Sequence, residues 1–280
     1  MKNPILHILN FYLYSSLHIG LCCVLLYLFS MQRFGLEVEH SYAVFLLSST
    51  IFTYSIHRII GMNKVKKFEH QGRFAVISKF RNHIITYAIF GGLTCTYLYV
   101  GFSLMRMQLL FLAGVVSILY TLPIFGKSMR LRDFSFIKIF LIAIVWSVVT
   151  ESIPLYESGI NGNLIFLLFL ERVAFFVAIT IPFDIRDIEV DRTNKVKTLP
   201  SVLGRKNSIY IALGLLVYCV GSQLYLYPTI LGTGAAVLTY LFTAIAILFI
   251  KNRTIANDYY FSGLMDGTIM LPWILLHIIS

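Results

Sequence analysis

Residues 181–191 read Ile181-Pro182-Phe183-Asp184-Ile185-Arg186-Asp187-Ile188-Glu189-Val190-Asp191, and Lys195-Val196-Lys197-Thr198-Leu199-Pro200 follows closely behind. Three of the six aspartates in the chain stand in this run, spaced D-x-x-D-x-x-x-D, directly after a long apolar segment. On a helix of 3.6 residues per turn, positions i, i+3 and i+7 fall within about 60° of one another, so Asp184, Asp187 and Asp191 are expected on one stripe. Carboxylates so placed repel unless a cation joins them. Hard divalent ions such as Mg2+ take carboxylate oxygens and share their remaining coordination with substrate phosphates, which makes these three the candidate metal ligands and catalytic residues. The plainer reading is a solvated acidic helix end balanced by Arg186, Arg192, Lys195 and Lys197.

The rest of the chain explains where such a stripe would sit. Of 280 residues, 58% are hydrophobic and only 13% charged, which excludes an ordinary soluble domain and indicates a polytopic membrane protein. A bilayer core of about 30 Å needs roughly 20 apolar residues per helix. Nine stretches qualify, near 9–30, 40–60, 83–102, 107–125, 136–156, 163–183, 208–227, 229–250 and 263–279. The first lacks a small-residue cleavage site and reads as a retained helix. The runs are solid, not alternating, so the fold class is all-α, a bundle of about nine transmembrane helices around a central cavity.

The net charge of +10 points to topology and not to nucleic acid. Lys and Arg gather in alternate connections, after the second, fourth, sixth and eighth stretches, while the opposite connections hold chiefly Arg33 and Arg106. The positive-inside rule then places the N-terminus and the aspartate run on the cytoplasmic side and the C-terminus opposite. The basic surplus also suits anionic headgroups or a phosphorylated substrate. The four cysteines, Cys22, Cys23, Cys95 and Cys219, all fall inside apolar stretches and read as packing residues without metal-site spacing.

A second polar exit ends the second stretch, at Thr53-Tyr54-Ser55-Ile56-His57-Arg58 with Lys64 beyond it. It lies four spans before the aspartate run, which suggests two related halves, about 1–130 and 131–260, facing one cavity within a single transmembrane domain. The connections 61–82 and 184–207 would form partly helical caps over the mouth. The fourth stretch ends Leu119-Tyr120-Thr121-Leu122-Pro123, where Pro123 stops or bends the helix and turns Tyr120 and Lys127 toward that mouth. Glu151 and Glu171 lie near the far end and read as ion-paired groups, Glu171 with Arg172 or a neighbouring helix; Asp266 is a lone carboxylate in the last stretch.

The run from Asp184 to Asp191, with Lys197-Thr198-Leu199-Pro200-Ser201-Val202-Leu203-Gly204 behind it, resembles the second aspartate-rich motif of the UbiA superfamily of intramembrane prenyltransferases. The resemblance implies transfer of an isoprenoid chain from a prenyl diphosphate to an aromatic or other lipophilic acceptor, with Mg2+ at the aspartates. Tyr54, His57, Arg58, Lys64, Tyr120, Lys127, Arg192 and Lys197 become the candidate substrate-binding residues. Tyr54, Trp146, Phe176 and Phe183 would stabilise an allylic cation through their ring faces. The family's first motif, N-D-x-x-D-x-x-x-D, is replaced: its positions read Thr53, Tyr54, His57 and Gly61, with no acidic group. Either His57, Arg58 and Lys64 bind diphosphate directly, or that wall is inactive. A UbiA-type terpene cyclase needing no acceptor, and a non-catalytic prenyl-lipid binder or transporter, are the alternatives.

Overall fold

The computed structural model of the chain describes residues 4–62, 72–124, 130–193, 196–226, 229–252 and 258–280. It is helical, with no strand among the described residues. The elements are α1 (Pro4–Tyr14), α2 (Leu17–Gln32), α3 (His40–Met62), α4 (Gly72–Lys79), α5 (Arg81–Val100), α6 (Leu104–Thr121), α7 (Ile137–Ser147), α8 (Ile153–Glu157), α9 (Gly162–Arg186), α10 (Ile188–Thr193), α11 (Leu199–Leu226), α12 (Ile230–Leu248) and α13 (Leu271–Ile279). Among the described residues seven helical stretches are long and apolar enough to cross a bilayer, and the bent pair α1–α2 makes an eighth. The final apolar stretch, 263–279, is divided instead. A π-helical turn at Tyr259–Met265 precedes α13, whose first turn holds Pro272, a residue with no N–H to donate to a preceding turn.

Lipid is as apolar as leucine, so close packing and buried polar contacts must hold these helices together. α9 is the central element. Its Phe175, Phe176, Ala178 and Ile181 are buried among residues of α2, α7, α11 and α12. α5 lies against α3 at Gly91, where an added Cβ would stand 2.8 Å from the carbonyl oxygen of Ser48 and 3.3 Å from the amide nitrogen of Phe52. The outward faces carry the other apolar side chains: Phe90, Leu93 and Tyr97 on α5 and Val217 and Leu224 on α11 are exposed. α6 ends at Thr121 because Leu122, just before Pro123, is extended at φ −83° and ψ 139°.

At the end of the bundle away from the aspartates, four charged side chains are wholly enclosed. Glu151, on a π-helical turn (Val148–Ser152) between α7 and α8, receives Arg172 at 2.8 Å and also pairs with Arg33. Glu171 accepts from Gln223 Nε2 at 2.9 Å and from the Tyr240 hydroxyl. Arg172 thus pairs with Glu151, and the cluster ties α9 to α2, to the turn after α7, to α11 and to α12.

Candidate functional site

A cavity of about 340 Å³ opens at the aspartate end. Its deeper wall is aromatic, with Tyr54, Trp146, Phe176 and Phe183 all lining it. The Trp146 ring lies 5.1 Å from Phe176 and 6.5 Å from Tyr54, the latter edge-on. The mouth is ionic, and its parts come from elements far apart in the chain.

α9 runs to Arg186, and Asp187, at φ −93° and ψ 11°, marks the step into α10. The backbone ladder nearly continues, since Asp187 N–H donates to Phe183 O and Asp191 N–H donates to Asp187 O, both at 2.9 Å. Asp184 and Asp191 therefore share a face, as the spacing predicts. What joins them is Lys138, on the first turn of α7: its Nζ lies 2.8 Å from Asp184 Oδ1 and 2.7 Å from Asp191 Oδ2. Asp187 turns aside to Arg186, whose Nε and Nη2 donate to its two oxygens at 2.8 and 3.0 Å. Arg186 Nη1 also donates to Asp258 at 2.7 Å, and Asp258 accepts from the Tyr14 hydroxyl at 2.6 Å. Burial pushes the Asp191 carboxyl above its ordinary value, against the opposing pull of Lys138.

The facing wall carries Thr53, Tyr54, His57, Arg58, Gly61 and Tyr120. His57 Nε2 meets an Nη of Arg132, and the Arg132 guanidinium lies 5.2 Å over the Tyr120 ring. A guanidinium only donates, so in a hydrogen bond between the two Nε2 is the acceptor. Arg58 lines the cavity but aims its guanidinium at the carbonyls of Leu13 and Tyr14 and at Ser16 Oγ, 3.1 Å away. It fills the break between α1 and α2, where the helix turns by 60° and Ser16 adopts φ 71°. Arg192 and Lys197 are exposed, outside the cavity lining. The carbonyl of Lys197 accepts from Phe136 N–H at 3.2 Å, tying the segment after α10 to the start of α7. Lys64 and Lys127 lie outside the described residues. Asp266 enters the lining beside the aromatic wall.

The site residues that sequence reasoning did not propose are Lys138, Arg132 and Asp258, while Arg186 was read only as a charge balancing an acidic helix end. Lys138 had a readable signal, an ammonium inside the apolar run 136–156, where a charge is costly unless used. Arg132 sits on a single 3-10 turn, Leu131–Asp133, too short for periodicity to describe.

Helical spans around an aromatic cavity with an anion-and-cation mouth define an integral membrane protein whose cavity joins a charged rim to an apolar interior. Residues 72–260 match the UbiA prenyltransferase family model, and the chain belongs to that family. No curated protein sequence matches. Among solved structures, a UbiA homologue from Archaeoglobus fulgidus bound to DMAPP and Mg2+ superposes with a TM-score of 0.63 at 13% identity, covering 95% of this chain and 99% of its own. The same homologue bound to GPP and Mg2+ gives 0.63 at 14%, with the same coverage. A structure concerned with digeranylgeranylglyceryl phosphate synthase in membranes gives 0.56 at 17%, covering 97% and 99%.

Mg2+ raises a question of fit. Among the described residues no three His, Cys, Asp or Glu side chains converge as a metal cage. The two carboxylates that do converge meet on an ammonium, and the third is held by a guanidinium. As placed, Asp184, Asp187 and Asp191 do not form the three-carboxylate site expected from their spacing.

Proposed function

We propose that the chain transfers an isoprenoid group from a prenyl diphosphate to a lipophilic acceptor, at a mouth that opens on the cytoplasmic side. The observation that carries this reading is the single cavity lining that joins the ionic cluster around Asp184, Asp187, Asp191, Lys138 and Arg132 to the rings of Tyr54, Trp146, Phe176 and Phe183. A diphosphate head fits the cationic groups of that mouth and an isoprenoid tail fits the aromatic depth. Heterolysis of the allylic C–O bond leaves the electron pair on the diphosphate, where Lys138 and Arg132 favour the growing charge. The rings favour the allylic cation by their quadrupoles. The acceptor's nucleophilic atom supplies the pair for the new bond, and its proton leaves to the released diphosphate or to water. Apolar walls keep water from the cation until then.

The test is product analysis with geranyl, farnesyl and geranylgeranyl diphosphates, each supplied alone and with a lipid extract or aromatic acceptors. Prenylated acceptor together with diphosphate release is the expected result, falling at least about a hundredfold in Asp184→Ala. Terpene hydrocarbon or alcohol formed without acceptor would instead indicate a cyclase. Binding without turnover of any donor would leave a prenyl-lipid binder.

A further inference from the structure

Asp184 comes from the last turn of α9 and Asp191 from α10, yet both carboxylates converge on a point that Lys138 reaches from α7. That point is the position a divalent ion would take between two carboxylates. It is enclosed: the side chains of Lys138, Asp184 and Asp191 are 8%, 7% and 11% exposed. An ammonium has three donors. Two go to these carboxylates, and Lys138 borders the cavity. On the opposite wall His57 and Arg132 face the cluster, and the carboxylate next to them in the lining, Asp133, is already paired with Arg130 at 2.9 Å.

We infer that Lys138 permanently fills the cation position between Asp184 and Asp191, and that this pair serves to aim its remaining N–H at the diphosphate instead of ligating a divalent ion. The inference deepens the prenyl diphosphate reading and rests on it for the identity of the ligand. Two carboxylates flanking one ammonium keep it charged and fix its direction, which suits a group that must meet developing negative charge without reorganising.

Two measurements test this on the full-length protein in detergent. The first is Mn2+ titration followed by electron paramagnetic resonance, without diphosphate. The wild type and Asp184→Asn are expected to take up Mn2+ alike, whereas Lys138→Met gains a site that the added change Asp184→Asn removes. Wild-type Mn2+ uptake that disappears in Asp184→Asn overturns the inference, and that comparison requires no variant at Lys138. Should Lys138→Met not fold, Lys138→Gln, shorter and uncharged, replaces it in the analogue-binding measurement described next, where the same weakening is expected. The second is binding of geranyl S-thiolodiphosphate, an analogue that resists ionisation, in excess EDTA. Measurable wild-type binding that weakens about tenfold or more in Lys138→Met is expected from the loss of a charge-assisted hydrogen bond. Equal affinity in the two proteins overturns the role given to the N–H. Absence of analogue binding with and without Mg2+ would count against the prenyl diphosphate reading, while the Mn2+ comparison would still decide what occupies the carboxylate pair.

Discussion

Arg58 and Arg132 both line the cavity, and their side chains have separate tasks. Arg58 closes the carbonyls left open where α1 breaks into α2, while Arg132 lies over Tyr120 against His57 at the mouth. Arg58→Ala is expected to lower the melting temperature more than Arg132→Ala, since it leaves buried carbonyls without a donor at a cost of ~1–3 kcal/mol. Arg132→Ala is expected to weaken binding of a prenyl diphosphate analogue more than Arg58→Ala. Parallel thermal unfolding and analogue titration of the two variants check the division; reversed ranks would refute it. Sequence reading chose Arg58 because it stands one residue from His57 at a helix exit. It had no means of choosing Arg132, since the contact of Arg132 with His57 spans 75 positions. The aspartates were legible because carboxylates following an apolar run are unusual. Their pairing with Lys138 was not, because that residue comes from a different helix, 53 positions before Asp191.

The spans themselves follow from hydropathy, and the bounds expected for 40–60 and 136–156 lie within two residues of those observed. Breaks within helices are harder to read, since they depend on what fills them. The α1–α2 bend requires Arg58, and the π-helical turn at Val148–Ser152 presents Glu151 to two arginines on other helices. Gly91 is a further instance: only the neighbouring backbone reveals why a glycine stands there. Gly91→Val should cost ~1–3 kcal/mol through overpacking of α5 on α3. A drop in melting temperature on that change, with Gly114→Val as a control in open space, would show it. Equal losses from the two would argue against tight contact at Gly91. Gly204 has a different cause, a φ of 79° that interrupts α11 just beyond the Thr198-Leu199-Pro200 segment.

Across the whole molecule, charge is concentrated at the two ends of the bundle. The aspartate end is open and lined by a cavity; the far end encloses Arg33, Glu151, Glu171 and Arg172. The far cluster was legible as ion-paired glutamates, though the pairing of Arg172 with Glu151 had to come from the fold. Removing one charge there leaves its buried partners with one counter-charge fewer. Glu151→Gln is accordingly expected to destabilise by ~3–5 kcal/mol, which would appear as a large fall in melting temperature and in membrane yield. Restoring stability by Glu151→Gln combined with Arg172→Met, relative to Glu151→Gln alone, would confirm that the loss is electrostatic; no recovery would contradict it.

The contact between Tyr14 and Asp258 has a consequence for how the protein is made. These two side chains are 244 positions apart, yet Asp258 also receives Arg186, which in turn holds Asp187 beside the cavity. A ribosome delivering the chain from its N-terminus therefore translates α1 through α12 before it reaches the residue that steadies Arg186. Until then the mouth is unfinished, with Tyr14 and Arg186 lacking the carboxylate that links them. A nascent chain arrested before Asp258 should expose this end to membrane quality-control proteases, and release of the full-length chain should protect it.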